Sequence, residues 1–253
     1  MYAEERQQAI IVAAREQGRV EVAQLARDFD VTPETIRRDL TTLERHGVLR
    51  RVHGGAIPLE RLGFEPAFDA RDAVMTAEKE RIAKAALAEL PPEGSIVLDA
   101  GSTTARFAEV LPGDREFTVI TNALNIAVAL ARRPNLTVLT VGGRVRGRTL
   151  ATVDSWSTSV LGDTFADVAF VATNGVSVER GLTTPDPAEA ATKRAMVAAA
   201  RRVVLLADHT KVGNDHLVRF ADLTDVDTFV TDQGLDQQLA QDIESAGVRV
   251  VRA

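Results

Sequence analysis

The sequence predicts an α/β protein in two parts, a small N-terminal winged helix-turn-helix and a larger α/β domain with a mostly parallel sheet. Two amphipathic helical patterns lie close together near the N-terminus and are followed by a hairpin pattern. From residue 76 onward, short aliphatic strands alternate with helical patterns, as in parallel sheets that helices cover on both faces. We expect domains at 1–57 and 76–253, with a linker at 58–75.

The composition excludes several classes of protein. Of the 253 residues, 45% are hydrophobic and 4% aromatic, which is typical of a globular protein with an aliphatic core. The absence of cysteine excludes disulfides, thiolate metal sites and cysteine nucleophiles. The first residues resemble no signal peptide, and no apolar run approaches the ~20 residues that cross a bilayer. We therefore expect a cytoplasmic protein without a membrane partner, and we predict no metal and no cofactor.

Three helices are predicted at the N-terminus. The first covers residues 3–17, and Val20 begins a brief strand. The second has apolar residues at i, i+3, i+4 and i+7, which is the helical spacing. These residues are Val22, Leu25, Ala26 and Phe29. The third begins with Thr32 as hydroxyl N-cap and Pro33 at the first helical position, and ends near Gly47. The residues that it is expected to bury are Ile36, Leu40 and Leu43.

The opposite face of the third helix is polar and basic. Although the chain has a net charge of −6, residues 36–53 carry five arginines against two acidic residues, a local +3. A hairpin over 48–57 forms the predicted wing. Such a helix fits the major groove of double-stranded DNA. The candidate DNA-binding residues are Thr32, Thr35, Arg37, Arg38, Arg50, Arg51 and His53. On this pattern alone, a pair of ordinary amphipathic helices with surface arginines stays an alternative.

One loop of the larger domain carries residues that are suited to binding a ligand. Strands are predicted near 96–98, 118–121, 136–141, 168–172, 203–207, 227–231 and 248–251, and helices near 77–90, 123–131, 188–201 and 235–246. After the first strand, Gly101 and three hydroxyl residues lead into a further helix. A helix N-terminus with unpaired N–H groups favours phosphate, and ligands of such sheets bind at the carboxyl ends of strands. Asp99 lies there, where it can accept hydrogen bonds from sugar hydroxyls.

Other interpretations of these loops stay open at this point. The hydroxyl loop could instead be a capped turn that binds no ligand, and Gly142-Gly143 could instead be an ordinary turn. Asp208 could instead form an Asx-turn at a strand end without binding a ligand, and Lys211 and Lys193 could instead be solvated lysines.

Particular residues add a resemblance to a known family. The runs Thr35–Leu40, Leu43-Glu44 and Arg51–Ala56, in that order and spacing, closely resemble the DeoR family of bacterial repressors. The resemblance continues along almost the whole chain. Its later landmarks are Glu78-Lys79, Asp99–Thr104, Thr121-Asn122, Gly142-Gly143, Gly181–Thr183 and Ala207–Lys211. It implies that the larger domain shares the fold of ribose-5-phosphate isomerase, glucosamine-6-phosphate deaminase and the coenzyme A transferases.

The resemblance also implies a ligand and the residues that bind it. The ligand is a phosphorylated sugar that weakens DNA binding, and we prefer fructose 1-phosphate because the chain looks like fructose-operon repressors of high-GC Gram-positive bacteria. The implied effector-binding residues are Asp99, Gly101, Ser102, Thr103, Thr104, Thr121, Asn122, Gly142, Gly143, Lys193, Asp208 and Lys211. Ser102 stands where threonine is commoner, and Thr152–Ser155 departs from the family pattern. We expect a homo-oligomer, a dimer or tetramer, that places two heads on one operator.

The alternative function is a sugar-phosphate isomerase-like enzyme with a DNA-binding head. Isomerisation needs a general base. Where related isomerases carry an acidic loop, this chain has Thr173–Val176, and the isomerase glutamate falls at Lys193. Glu189, one helical turn away, stays a candidate base. We predict a repressor of a sugar operon with no catalytic residue.

Overall fold

The structure is a computed structural model that describes residues 3–17, 19–45, 48–58 and 65–253. It divides into two compact units, Met1–Val74 and Met75–Ala253. Each unit has its own hydrophobic core. The boundaries predicted for the wing, the linker and the larger domain stay predictions, because this division separates compact units and does not delimit a linker.

The small unit is a winged helix-turn-helix. Its elements are α1 (Ala3–Gln17), β1 (Val20–Glu21), α2 (Val22–Asp28), α3 (Pro33–Arg45), β2 (Leu49–Val52), β3 (Gly55–Pro58) and α4 (Phe68–Asp72). The strands form an antiparallel sheet in the order β1-β3-β2. The predicted helices and hairpin are confirmed, and α4 adds a short helix to the stretch predicted as linker. The predicted end of α3 near Gly47 lies outside the described residues.

The start of α3 follows directly from its sequence. The Thr32 hydroxyl accepts a hydrogen bond from the backbone N–H of Thr35 at 3.2 Å, which satisfies one of the unpaired donors of the first turn. The predicted apolar face is buried in one cluster with residues of α1 and β3. Its members include Ile10, Ala14, Ile36, Leu40, Leu43 and Ala56. This packing turns the polar face of α3 outward.

The larger unit is built on a parallel sheet. Its elements are α5 (Thr76–Ala86), β4 (Gly94–Leu98), α6 (Ser102–Glu109), β5 (Phe117–Thr121), α7 (Leu124–Leu130), β6 (Leu136–Thr140), β7 (Arg144–Arg146), β8 (Ala151–Val153), α8 (Ser155–Gly162), β9 (Val168–Val171), β10 (Gly175–Ser177), β11 (Gly181–Thr184), α9 (Pro187–Ala198), β12 (Val203–Leu206), β13 (Val218–Ala221), β14 (Thr228–Thr231), α10 (Gln237–Ser245) and β15 (Arg249–Arg252). Short 3-10 helices lie at Leu87–Glu89, His209–Lys211 and Leu223–Asp225. Seven strands form the sheet in the order β15-β14-β12-β9-β4-β5-β6.

Helices cover both faces of this sheet. On one face α5, α6 and α7 bury a cluster that contains Phe107 and Phe170, whose ring centroids lie 4.3 Å apart. On the other face α8, α9 and α10 bury a second cluster around Phe229. All neighbouring strands in the sheet run parallel, so their carboxyl ends meet at one edge. The predicted α/β architecture is confirmed.

Several elements of the larger unit were not predicted from the sequence pattern. These are the β7–β8 hairpin, α8, and the antiparallel sheet β10-β11-β13. Strands β8, β10 and β11 are only three or four residues long and are buried at every position. They therefore lack the period-2 alternation by which a half-buried strand is recognised. Across the described ranges, no helix is both long enough and apolar enough to span a bilayer.

Candidate functional site

The outward face of α3 carries the predicted polar residues. Thr32, Arg37 and Arg38 are exposed, and Thr35 is half-buried. On the wing, Arg50, Arg51 and His53 are exposed as well. Exposed guanidinium groups on a helix and on an adjacent hairpin are suited to phosphates and base edges.

One contact links the helix to the wing. Arg51 Nη1 on β2 donates a hydrogen bond to the Thr41 hydroxyl on α3 at 3.1 Å. The backbone N–H of Arg51 also donates to Glu44 Oε1 at 2.9 Å. On the helix itself, Arg37 Nη1 lies 3.2 Å from Glu34 Oε2. The structure thus places Arg51 of the wing against the helix that carries Arg37 and Arg38.

At the sheet edge of the larger unit, Asp99 follows β4 and is completely buried. Its Oδ2 atom forms an ion pair with Lys193 Nζ from α9 and accepts a hydrogen bond from the backbone N–H of Ala172 at 2.9 Å. Lys193 Nζ also donates to the Ala172 carbonyl at 3.0 Å. Asp99 Oδ1 is buried and has no hydrogen-bond partner within the described part of the chain. A buried acceptor of this kind is costly unless a donor reaches it.

The hydroxyl groups beside Asp99 differ in their hydrogen bonds. The Thr104 hydroxyl donates to the carbonyls of Asp99 at 2.7 Å and Gly101 at 3.0 Å, so it stabilises the loop itself. Ser102 and Thr103 begin α6, and their hydroxyls make no hydrogen bond inside the described ranges. Gly101 lies so close to Ala172 that a Cβ atom at position 101 would be 2.7 Å from the Cβ atom of Ala172. The first turn of α6 therefore offers backbone N–H groups and two hydroxyls next to Asp99.

Thr121 and Asn122 hold strand ends together. The Thr121 hydroxyl donates to the Leu98 carbonyl at 2.7 Å. Asn122 Oδ1 accepts from the backbone N–H of Ala100 at 3.1 Å, and its Nδ2 donates to the Thr152 carbonyl at 3.1 Å. Both side chains are buried. Their polar atoms fix the loops on either side of the Asp99 site.

The remaining predicted residues lie further along the edge. The Gly142 carbonyl accepts a hydrogen bond from the Ser157 hydroxyl at 2.6 Å, and Gly143 has a φ of +143°. Gly142 follows β6 and Asp208 follows β12, four strand spacings away, or about 19 Å at ~4.8 Å per strand. The twelve predicted residues therefore form a row. Asp99, Gly101 and Lys193 come together at its centre.

Asp208 is a buried carboxylate beside lysines. Burial by itself favours its neutral form, but the charge of Lys211, the Thr210 hydroxyl and the charge of Lys79 together lower the pKa of Asp208 below its ordinary value. Lys79 was not predicted as a site residue, yet it is 4% exposed. The burial of Lys79 could have been predicted from its spacing. It lies on the same helical face as Ile82, Ala83 and Ala86, and all four residues are buried.

Two family models together match most of the chain. A model described as a DeoR-like helix-turn-helix domain matches residues 6–61, and a model described as the DeoR C terminal sensor domain matches residues 74–233. The chain belongs to the DeoR family of transcriptional regulators. The predicted family, and the prediction of a transcriptional regulator with a DNA-binding head and a sensor domain, are thereby confirmed.

Relatives of this DeoR-family regulator match it over nearly their whole length. The HTH-type transcriptional regulator GlpR of Haloferax volcanii is 38% identical over 98% of this chain and 96% of its own. The glycerol-3-phosphate regulon repressor of Escherichia coli K12 is 30% identical over 90% of each chain. Among solved structures, ribose 5 phosphate isomerase A of Neisseria gonorrhoeae overlaps 56% of this chain and 54% of its own, with 17% identity and a TM-score of 0.40. A similarity at that level carries no argument about activity.

The carboxylate left open as a candidate base has partners in the regulator. Glu189 is 4% exposed. Its Oε1 atom forms an ion pair with Arg146 and accepts a hydrogen bond from the Thr149 hydroxyl. Arg146 also lies 3.3 Å from Asp186, the N-cap of α9. The Glu189 carboxylate is therefore engaged by a guanidinium and a hydroxyl of its own chain. The described residues contain no group of side chains suited to holding a metal ion.

Proposed function

We propose that this regulator represses a sugar-utilisation operon and is released from its operator by a phosphorylated sugar. The observation that carries the proposal is the buried Asp99 carboxylate. One of its oxygens faces Lys193, and the other has no partner among the described residues. This oxygen can accept a hydrogen bond from a sugar hydroxyl. The first turn of α6, with Ser102 and Thr103, can hold the phosphate.

The proposed DNA contacts are made by α3 and the wing. Arg37 and Arg38 reach bases or phosphates in the major groove, and Arg50, Arg51 and His53 reach the flanking backbone. Two-fold association of the larger units spaces two heads on a repeated operator. Effector binding changes this association, so that the two heads lose their register on the DNA.

The same contacts support a sensor that does not catalyse. A base for isomerisation must take a proton from carbon. The Glu189 carboxylate is paired with Arg146, and a lysine stands at the position predicted for the isomerase glutamate. Lys193 itself is engaged by Asp99. We therefore propose binding without turnover in a cytoplasmic protein.

A thermal-shift panel tests the effector. The full chain is heated with fructose 1-phosphate, glycerol 3-phosphate, deoxyribose 5-phosphate or galactitol phosphate, with unphosphorylated fructose as control. A ligand present at 100 times its Kd stabilises the folded chain by about 2.7 kcal/mol. We expect fructose 1-phosphate or a close relative to raise the Tm and to release a labelled operator in a shift assay. Measurable isomerisation, or a panel in which no compound changes the Tm, contradicts the proposal.

A further inference from the structure

The larger unit carries a row of exposed apolar side chains on and after α8. Trp156 is 76% exposed, Val160 is 53% exposed and Phe165 is 86% exposed. Trp156 and Val160 are one helical turn apart and so lie on the same face. The Thr164 hydroxyl donates to the Val160 carbonyl at 2.7 Å, which holds the chain close to the helix just before Phe165. We call Trp156, Val160 and Phe165 the α8 surface.

The opposite face of α8 is anchored in the protein. Leu161 is buried in the core cluster on that side of the sheet, and the Ser157 hydroxyl donates to the Gly142 carbonyl at 2.6 Å. The orientation of the helix is therefore fixed, and Trp156 and Val160 lie on its outward side. A tryptophan exposed near the start of α8 and a phenylalanine exposed just after its end are the kind of apolar surface that marks an interaction site.

We propose that the α8 surface binds a second copy of this chain, pairing the larger units about a two-fold axis. The inference rests on the proposed function, in which two heads act on one operator. In a two-fold interface the same patch meets itself. The residues of α8, Ser155–Gly162, include no charged side chain, whereas the whole chain has a net charge of −6. Two copies that meet along this helix therefore oppose no charge from α8 itself, and the nearest following charge is the exposed Asp163 at its C-cap.

The area of the patch fits this occupant. Aromatic side chains bury about 150–250 Å² each, so Trp156 and Phe165 supply about 300–500 Å² per copy. That is roughly half of the ~800 Å² per partner in a stable interface. At the edge of the helix, Arg144 Nε lies 2.7 Å from Asp154 Oδ2, and both side chains are exposed. This neutral pair provides a polar rim around the apolar centre.

The single tryptophan of the chain makes the proposal directly measurable. Light scattering over a dilution series of the full-length protein gives the monomer and the oligomer, and acrylamide quenching of Trp156 fluorescence is measured in both. We expect quenching to be several-fold weaker in the oligomer. Quenching that is equal in the two states overturns the α8 surface. Protection of Trp156 already in the monomer overturns it too, and indicates that the chain's own N-terminal unit covers the patch.

Paired variants locate the contact. Val160→Glu places like charges opposite each other and is expected to raise the dimer Kd at least tenfold. Val128→Glu on α7, where the valine is 71% exposed, is the matched control. Phe165→Ser serves the same purpose if Val160→Glu fails to fold. Oligomers that survive both α8 variants overturn the proposal. A wild-type chain that is monomeric at every concentration contradicts the two-headed operator complex as well, so the two failures are distinguishable.

Discussion

The Nε atom of Arg6 lies 2.6 Å from Oδ2 of Asp39, and both side chains are more than nine-tenths buried. Gln7 Nε2 donates to the other carboxylate oxygen at 3.0 Å. Asp39 directly follows Arg38 on α3, so its two bonds to α1 fix the rotation of the helix that presents the arginines. The same pair therefore contributes to the stability of the small unit and to the orientation of the exposed face of α3.

Asp39→Ala tests this connection. The change removes the carboxylate that Nε of the buried Arg6 contacts, and removing one member of a buried ion pair costs about 3–5 kcal/mol. We expect the small unit to unfold at lower urea, followed by circular dichroism, while Trp156 fluorescence of the larger unit keeps its transition. Asp28→Ala is the control, because Asp28 is exposed and bonds only Gln24 among the described residues. Equal stability of the two variants contradicts the role assigned to the pair.

Arg38→Ala is expected to weaken operator binding. Losing one base contact costs about 1–3 kcal/mol and relaxes sequence preference at one position, whereas losing a phosphate contact lowers the salt slope by about one. Fluorescence anisotropy at several salt concentrations separates the two cases. Arg132→Ala removes an equal charge from an exposed site on the larger unit and serves as the control. Unchanged affinity for both Arg37→Ala and Arg38→Ala shows that α3 is not the recognition helix.

Lys193→Met is expected to destabilise the larger unit. It leaves the Asp99 carboxylate buried without its cation, at a cost of about 3–5 kcal/mol. The double variant Asp99→Asn, Lys193→Met carries no buried charge at this position and is expected to recover part of the loss. Urea unfolding of the larger unit, followed by circular dichroism, gives the coupling between the two residues. A double variant that is no more stable than Lys193→Met argues against a direct pair.

The pair of His209 and Asp232 makes the stability of the larger unit depend on pH. His209 Nδ1 lies 2.8 Å from Asp232 Oδ2, and this hydrogen bond raises the pKa of His209 above 6.5. Burial opposes ionisation of Asp232, yet the hydrogen bonds from the His209 side chain and from the backbone N–H groups of His209 and Gly234 lower its pKa to about 2. The histidine contribution to stability is complete below pH 6.5 and is lost as the pH rises through the raised pKa. The aspartate contribution is present above pH 3.8 and is lost as the pH falls towards 2.

His209→Gln is therefore expected to lower the Tm most between about pH 4 and pH 6.5, and less at pH 8. Thermal unfolding at unit steps of pH measures the difference from the wild-type chain. His53→Gln, which changes an exposed histidine of the wing, is the control. A difference that grows above pH 7 has the wrong sign for this pair.

Two adjacent glycines give a matched comparison. A Cβ atom on Gly143 would lie 2.3 Å from the Val153 carbonyl oxygen, at a φ that disfavours other residues, whereas a Cβ atom on Gly142 meets nothing within 4 Å. Gly143→Ala is expected to cost more than about 1 kcal/mol in urea unfolding, and Gly142→Ala much less. If Gly142→Ala spares stability but weakens effector binding, the predicted ligand role of this loop is supported. Equal losses of stability contradict the assignment of the turn to Gly143.

The sequence could predict the elements whose signals are local. Thr32-Pro33 fixes the start of α3, and aliphatic runs mark the parallel strands. Buried charges are different, because burial depends on a partner that lies far away in the chain. Arg6 is 33 residues from Asp39, and Lys193 is 94 residues from Asp99. A count of charges cannot pair such residues, so the burial of Asp39 and the ion pair at Asp99 emerged only from the fold.

The ion pair between Asp99 and Lys193 has a consequence for selectivity. In the proposed sensor, the first turn of α6 holds the phosphate and Asp99 already balances the charge of Lys193, so a bare phosphate ion gains little from the lysine. A ligand that also brings a hydroxyl donor to Asp99 Oδ1 gains a contact that inorganic phosphate offers less readily. The carboxylate thus favours a ligand that carries both a phosphate and a sugar hydroxyl. It would keep the DNA-bound state insensitive to the free phosphate of the surrounding solution.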